Sequence, residues 1–126
     1  IDQLPQMLHA PVFDMNVNAG SHAFKVMQRT LILFDVDITV DGVIGPINIA
    51  ATQTAAWRPP DHLVDAYGIE RVNYYLSLAD AQPNLRKFAR TRRGNKGGWI
   101  KRAAKYMRPR FHLGPSVFQQ RTAAWG

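Results

Sequence analysis

Apolar residues that recur at helical spacing constrain the fold of this chain more than any other feature. In the segment "HAFKVMQRTLILF", Ala23, Met27 and Leu31 fall on one face of a helix, together with Phe24 and Phe34. Ser21 stands just before this segment and is a favourable N-cap residue. The segment is therefore predicted to form an amphipathic helix that buries one side against a partner element.

Glycine and proline residues divide the rest of the chain into further helical segments. A first helix is predicted over residues 4–20, where Pro5 suits the first helical position, Gly20 ends the helix, and Pro11 should kink it or delay its start. Further helices are predicted from Pro46 to residue 57, from an Asp61 cap to residue 81, over the short basic segment 84–93, and over 99–107. A stop is predicted at Arg58-Pro59-Pro60.

Strand-like alternation of apolar and polar residues is confined to "FDVDITV". This stretch is short, so we expect an extended link or at most a two-strand ribbon. A chain of 126 residues suffices for one domain with a hydrophobic core. The predicted fold class is therefore mainly α, with five to six helices, at most a short β ribbon near residues 36–44, and a less regular tail that could form a helical turn or two.

Charge is distributed very unevenly along the chain. The net charge is +7, yet all nine acidic residues lie at or before Asp80, and residues 86–110 carry 11 of the 16 basic residues. A basic half of this kind attracts polyanions such as nucleic acid, anionic lipid headgroups or envelope phosphates. The alternative is a solvated surface that keeps the protein soluble.

Several function classes are excluded by composition. The chain has no cysteine, which rules out a disulfide scaffold, a thiolate zinc site and a cysteine nucleophile. The four histidines show no metal-ligand spacing, and no phosphate-binding glycine loop is present. No apolar run reaches the roughly 18 residues of a membrane span. We expect neither a metal nor a cofactor.

The stretch "VDGVIGP" resembles part of a calcium-binding loop, with carboxylates at Asp37 and Asp41 and a glycine at Gly42. However, Asn48 stands where such a loop needs a bidentate carboxylate, so the stretch is interpreted as a connector. We expect Asp41-Gly42 to turn the chain and both Val43 and Ile44 to anchor it in the core.

Acid–base chemistry has few candidates in this chain. The single glutamate, Glu70, stands beside Arg71, and we expect it to be structural and to form local ion pairs. Asp14 and Asn18 are four residues apart and therefore share one face of the first helix. These two either satisfy buried backbone groups or face a cleft. Aromatic residues near the basic half could stack on sugars or bases, or simply form core.

Six stretches occur in an order that resembles one enzyme family. They are "LPQMLHAPVFDMNVNAG", "AFKVMQRTL", "VDGVIGP", "ERVNYYLSL", "PNLRKF" and "GGWIKRAAKY". Together they are similar to segments of the lysozyme-like muramidases of glycoside hydrolase family 108, over roughly residues 4–107. The matching positions in the later segments are Arg71, Tyr75, Phe88, Gly98, Trp99 and Arg102.

This resemblance implies a small lysozyme-like helical domain from a phage endolysin or a bacterial relative, acting on peptidoglycan in the periplasm or cell wall. Residues 1–107 would be the C-terminal part of a muramidase-like domain, including its peptidoglycan-binding region, and residues 108–126 an extension. The family's catalytic glutamate lies in a Glu-Gly-Gly motif that this chain does not contain. Because the first residue is Ile1 rather than Met, we expect that glutamate upstream, no catalytic residue in this chain, and no hydrolysis by it alone.

The resemblance also implies which residues meet the ligand. Glycan strands of peptidoglycan should contact Phe13, Asp14, Asn18, Tyr75 and Trp99. The charge distribution, rather than the resemblance, indicates a second set of contacts. Anionic envelope polymers or a membrane surface could contact Arg86, Lys87, Arg90, Arg92, Arg93, Lys96, Lys101 and Arg102. Two other functions stay open: a non-catalytic peptidoglycan-binding module, and a basic nucleic-acid-binding domain. The last ranks lowest because no helix-turn-helix reader is evident, and no specific nucleic acid is expected.

Overall fold

The structure is a computed structural model that describes residues 4–55 and 60–126. Within these ranges the chain forms seven α-helices and no strand, which confirms the mainly α prediction. The helices are α1 (Gln6–Ala19), α2 (His22–Leu33), α3 (Pro46–Ala55), α4 (Pro60–Ala81), α5 (Arg86–Ala89), α6 (Gly98–Ala104) and α7 (Pro115–Thr122). The predicted stop at residues 58–60 and the end of the third predicted helix lie largely outside the described residues. No helix in the described ranges is long and apolar enough to cross a bilayer.

Helix α1 buries Leu8, Val12 and Met15, the residues that follow helical spacing. It continues through Pro11, so the delayed start predicted as one alternative is wrong. Pro5 precedes the helix rather than opening it. Gly20 ends it as predicted, in a left-handed conformation with φ of 59° that favours glycine.

Two predicted caps are wrong. The Ser21 side chain makes no capping hydrogen bond, because the amides of Phe24 and Lys25 are satisfied by the Ser21 backbone carbonyl instead, at 3.0 and 3.2 Å. Asp61 lies in the first turn of α4, which begins one residue earlier, at Pro60. A carboxylate in a first turn still complements the positive end of the helix dipole.

Helix α4 is the central element, in contact with α1, α2, α5 and α6. It buries Leu63, Tyr67 and Tyr75, whereas α6 packs on it through Ile100 and Ala103. The Tyr67 hydroxyl donates to the carbonyl of Ala23 at 3.0 Å, which satisfies a polar group in the core. Burial raises the pKa of this phenol well above its ordinary value.

The connector between α2 and α3 is an extended link without strand pairing. The side chain of Gln28, fully buried on α2, holds it in place. Gln28 Oε1 accepts hydrogen bonds from the amides of Asp41 and Gly42 at 3.0 and 2.9 Å, and Gln28 Nε2 donates to Asp41 Oδ1 at 2.9 Å. The predicted turn is confirmed, with Gly42 at φ of 77°. Ile44 packs against the core, but Val43 is 64% exposed, so its predicted burial is wrong.

The tail after residue 107 is folded onto the end of α4. Phe118 of α7 is buried, which agrees with the short helix predicted there. Asp80 accepts two hydrogen bonds from Arg121, at 3.0 and 2.7 Å, and a third from the indole nitrogen of Trp125 at 2.7 Å. These contacts place α7 and the following 3-10 turn beside the C-terminal end of α4. The guanidinium of Arg86, 5.4 Å from the centre of the Trp125 ring, places the same turn beside α5.

Candidate functional site

A buried arginine on α4 joins helices α1 and α4. The Arg71 side chain is 1% exposed, and its Nη2 donates to Asp14 Oδ2 at 2.6 Å. Its Nε donates to the hydroxyl of Tyr75, one turn later on the same helix, at 3.1 Å. Because a buried charge is tolerated only when it is paired, Asp14 is the partner that allows Arg71 to lie here.

The polar network continues to the surface through Asn18. The Tyr75 hydroxyl donates to Asn18 Oδ1 at 3.0 Å, so the i,i+4 pair on α1 meets the i,i+4 pair on α4. Asn18 is exposed, and its amide nitrogen donates to no described residue. Its acceptor is therefore used inside the protein, while its two N–H donors face solvent.

Asp14 also accepts a hydrogen bond from α6, where Arg102 Nη2 lies 2.8 Å from Asp14 Oδ1. The hydrogen bond from Arg102 lowers the pKa of the Asp14 carboxyl below its ordinary value, and Arg71 adds to this effect against the opposing effect of burial. Asp14 is therefore an ionised acceptor at neutral pH. A group held in this form cannot serve as a general acid.

Three aromatic rings stack beside this network. The rings of Tyr75 and Trp99 lie 4.9 Å apart at 22°, and those of Trp99 and Phe88 lie 5.2 Å apart at 27°. Tyr75 and Phe88 make no ring contact with each other, so Trp99 lies between them. Offset stacking of this kind stabilises the arrangement beyond the burial of area. Trp99 is half-buried, and its indole N–H donates to no described residue.

The structure brings together four of the five predicted glycan contacts: Asp14, Asn18, Tyr75 and Trp99. Phe13 stands beside Asp14 in the chain but outside the network, with a ring that is 59% exposed. Sequence reasoning missed the central role of Arg71 and the outer ring of Phe88. Both are among the positions that match the family, and the four-residue spacing of Arg71 and Tyr75 is the signal that could have identified the pair.

The predicted partner of Glu70 is not found. Arg71 turns to Asp14, and Glu70 forms no ion pair with a described residue. Arg71 pairs with Asp14 rather than Glu70 because Asp14 meets the guanidinium inside the α1–α4 contact. Glu70 and Arg71 are adjacent on α4, so their side chains point in different directions.

The eight predicted envelope contacts divide into two groups. Three are engaged within the protein: Arg102 with Asp14, Arg86 with the carbonyls of Ala79 and Asp80, and Arg90 with the carbonyls of Thr122 and Gly126. The other five form no ion pair with a described residue; they are Lys87, Arg92, Arg93, Lys96 and Lys101. All of these except the half-buried Lys96 are exposed.

Comparison with known proteins identifies a family model, described as a predicted peptidoglycan domain, that matches residues 22–104. The match spans more than half of the chain. The chain belongs to this family. It is therefore a peptidoglycan-associated domain, and its context is the cell wall. No curated protein and no solved structure gives a significant match.

The network described above crosses the boundary of the match. In this peptidoglycan domain, Arg71, Tyr75, Phe88, Trp99 and Arg102 all lie within the matched range. Asp14 and Asn18 lie on α1, before it. The 2.6 Å contact between Asp14 and Arg71 shows that α1 and the matched peptidoglycan domain form one physical unit.

Proposed function

We propose that this peptidoglycan domain binds the glycan strand of the cell wall through one surface formed by α1, α5 and α6. We call it the Trp99 surface and define it by Asn18, Phe88, Trp99 and Arg102, with Phe13 at its margin. The observation that carries the proposal is the stack of Tyr75, Trp99 and Phe88 beside hydrogen-bond donors that have no partner among the described residues.

The chemistry of this surface suits an acceptor-rich sugar. Hydroxyl and N-acetyl carbonyl oxygens accept hydrogen bonds, and the surface offers the Asn18 amide, the Trp99 indole N–H and the exposed Arg102 guanidinium. Phe88 is the outermost ring of the stack and can cover the apolar face of a sugar ring. A few well-placed polar groups among aromatic side chains are typical of small-molecule and saccharide sites.

The surface is held in place before any ligand arrives. Asn18 is oriented by the Tyr75 hydroxyl, Trp99 by the Tyr75 ring, and Arg102 by Asp14. Side chains that are already fixed lose less conformational entropy on binding.

The number and the protonation state of the carboxyl groups near this surface favour binding without cleavage. Glycoside hydrolysis commonly needs two carboxyl groups that flank the bond, one of them protonated. Among the described residues, Asp14 is the one carboxylate that hydrogen-bonds to the Trp99 surface, through Arg102, and its two arginines keep it ionised. We therefore expect the chain alone to bind peptidoglycan and leave it intact.

Sedimentation with insoluble peptidoglycan tests the binding, and release of reducing sugars from the same samples tests the cleavage. We expect the protein in the pellet and no sugar release. Soluble N-acetylglucosamine oligomers should displace the protein if the glycan is the ligand. Failure to sediment would contradict the binding proposal, and sugar release would contradict the assignment of Asp14 as a non-catalytic residue.

A narrower proposal is that the domain serves a muramidase, as part of a phage endolysin or a bacterial relative. Its support is the resemblance of α1 to the muramidase segment that ends in Val-Asn-x-Gly, together with the ion pair that joins α1 to the family-matched region. The catalytic glutamate would then lie outside residues 1–126. The coding sequence that flanks the chain tests this proposal. An in-frame Glu-Gly-Gly motif there would support it, and the absence of such a motif would contradict it.

The unpaired basic residues support adhesion to an anionic envelope as an additional role. Exposed Arg92, Arg93 and Lys101 are available for this contact. Binding to anionic and neutral vesicles, to wall polymer and to duplex DNA would separate the partners. A nucleic-acid function would appear as DNA binding with a steep salt dependence, because phosphate contacts release counterions. We expect the wall polymer to bind more tightly than DNA at physiological salt.

A further inference from the structure

Lys96 lies between two cavities on the side of α6 away from the Trp99 surface. One is an apolar cavity of about 60 Å³, whose walls include Ile69, Val72, Ile100, Ala104 and Met107. The other is a groove of about 260 Å³ lined by Asn95, Lys101, Phe118 and Gln119, among others. Lys96 lines both, so one basic residue stands between two largely apolar spaces.

The loop that carries Lys96 is closed by its own hydrogen bonds. The Thr91 amide donates to the Asn95 carbonyl at 2.9 Å, and the Asn95 amide donates to Thr91 Oγ1 at 3.1 Å. The Gly97 amide donates to the carbonyl of Ala89 at 2.8 Å, and Arg90 and Lys96 form an isolated antiparallel bridge. Lys96 is therefore placed by the backbone on both sides of it.

The charge around Lys96 is not compensated locally. Lys96 is half-buried and forms no ion pair with a described residue, and Lys101 at the groove is likewise unpaired. Residues 81–126 contain no acidic residue at all. An ammonium without a counter-charge attracts an anionic group, and the groove of about 260 Å³ is large enough to admit one.

We propose that this site binds the C-terminal carboxylate of a short peptide that ends in a small apolar residue. The carboxylate would pair with Lys96, the terminal methyl group would enter the apolar cavity, and the amides of Asn95 and Gln119 would meet the peptide groups. The small apolar cavity favours this ligand over a phosphate polymer, which has no methyl-sized group to place there.

This proposal rests on the proposed function, because peptidoglycan carries short peptides that end in alanine. The domain would then bind two parts of one polymer, the glycan strand at the Trp99 surface and the end of the peptide at Lys96. The two sites lie on different sides of α6, so each can be removed without the other.

Titration of the full chain with acetyl-D-alanyl-D-alanine, followed by NMR or calorimetry, tests the peptide site. Lys96→Met should weaken this ligand by about tenfold, the loss expected for one charged hydrogen bond. Lys105→Met, which removes the same charge from an exposed position lining neither cavity, should have little effect. Ala104→Leu, which fills the apolar cavity, should also weaken the peptide.

The carboxamide-ended dipeptide should bind much more weakly than the free carboxylate. Equal binding of the two dipeptides, or unchanged affinity in Lys96→Met, would overturn the proposal. Displacement of the dipeptide by inorganic phosphate at similar concentration would overturn it in favour of a phosphate-bearing polymer. The N-acetylglucosamine tetramer should bind the wild-type protein and Lys96→Met equally well. If the wild-type protein does not bind the tetramer, that result would count against the glycan proposal and not against the peptide proposal.

Discussion

The carboxylate of Asp14 lies 2.6 Å from Nη2 of Arg71, and this contact joins the first helix to the central one. Asp14→Ala would leave a buried guanidinium without its counter-charge. We expect a loss of about 3 kcal/mol in the free energy of unfolding, the usual result of breaking a buried ion pair. Urea denaturation followed by circular dichroism measures it.

Arg102→Ala is the matched control for that experiment, because it removes the other partner of Asp14 while keeping the buried pair. The Arg102 side chain is 59% exposed, so its loss should change stability much less. Equal losses in Asp14→Ala and Arg102→Ala would contradict the central role given to Arg71.

Acid should weaken the fold through Asp14 and Asp80. Arg102 at Asp14 and Arg121 at Asp80 hold the pKa of each carboxyl below the ordinary value of 3.8. The unfolded chain therefore takes up these protons more readily than the folded one. The stabilisation is fully present above about pH 5 and is lost as the pH falls through the unfolded value toward the folded one.

Unfolding curves measured between about pH 7 and about pH 3 test this. Asp14→Asn and Asp80→Asn should each be less stable than wild type near neutrality and should show a flatter acid dependence. An acid dependence as steep as that of wild type in the double variant would assign the effect to other groups.

The helices could be predicted because their apolar stripes carry the information locally. Ala23, Met27 and Leu31 are buried, as their spacing indicates. The cap predicted at Ser21 was wrong because a backbone group accepts the hydrogen bonds instead. At the start of α2 the acceptor is the Ser21 carbonyl and not its hydroxyl. The predicted burial of Val43 was wrong for a similar reason. Gln28 fixes the connector through hydrogen bonds to its backbone, so the connector does not need Val43 as an apolar anchor.

The candidate site could be predicted only in part, because its contacts join distant segments. The spacing of Asp14 and Asn18 placed them on one face, and the family resemblance singled out Tyr75 and Trp99. The partners of these residues could not be predicted from spacing, since Arg71 and Asp14 are 57 positions apart. Pairing over such a distance is set by how α1 and α4 pack, which no local pattern specifies.

Gln28 should be essential for the connector. Gln28→Ala removes the buried side chain that accepts hydrogen bonds from the partly buried amides of Asp41 and Gly42. We expect a destabilisation of about 2 kcal/mol, in the range for buried polar groups that lose their partner. Hydrogen exchange at Gly42 should become faster. Gln120→Ala, at an exposed position, is the control, and unchanged protection at Gly42 in Gln28→Ala would contradict the account.

The aromatic stack should carry much of the affinity for the wall. Trp99→Ala removes the ring between Tyr75 and Phe88, and we expect the affinity for peptidoglycan to fall by about tenfold, as for loss of one stacking ring elsewhere. Sedimentation over a range of peptidoglycan concentrations measures it.

Trp125→Ala is the aromatic control, because Trp125 packs beside Arg86 and Arg90, bonds to Asp80 and is not one of the residues of the Trp99 surface. It should lower thermal stability and leave wall affinity close to that of wild type. Equal loss of affinity in the two variants would contradict the placement of the glycan site.

Two neighbouring glycines should respond oppositely to alanine. A Cβ at Gly97 would lie 2.7 Å from the carbonyl oxygen of Phe88 and the carbonyl carbon of Ala89, backbone atoms that cannot move aside easily. Gly97→Ala should therefore destabilise the protein by about 2 kcal/mol, as overpacking does, and shift the loop that carries Lys96.

A Cβ at Gly98 meets nothing within 4 Å, and Gly98 is the first residue of α6. Gly98→Ala should stabilise the protein by up to about 0.5 kcal/mol, because alanine restricts the unfolded chain. Thermal unfolding of both variants measures the difference, and a stable Gly97→Ala protein would contradict the close approach of the loop to α5.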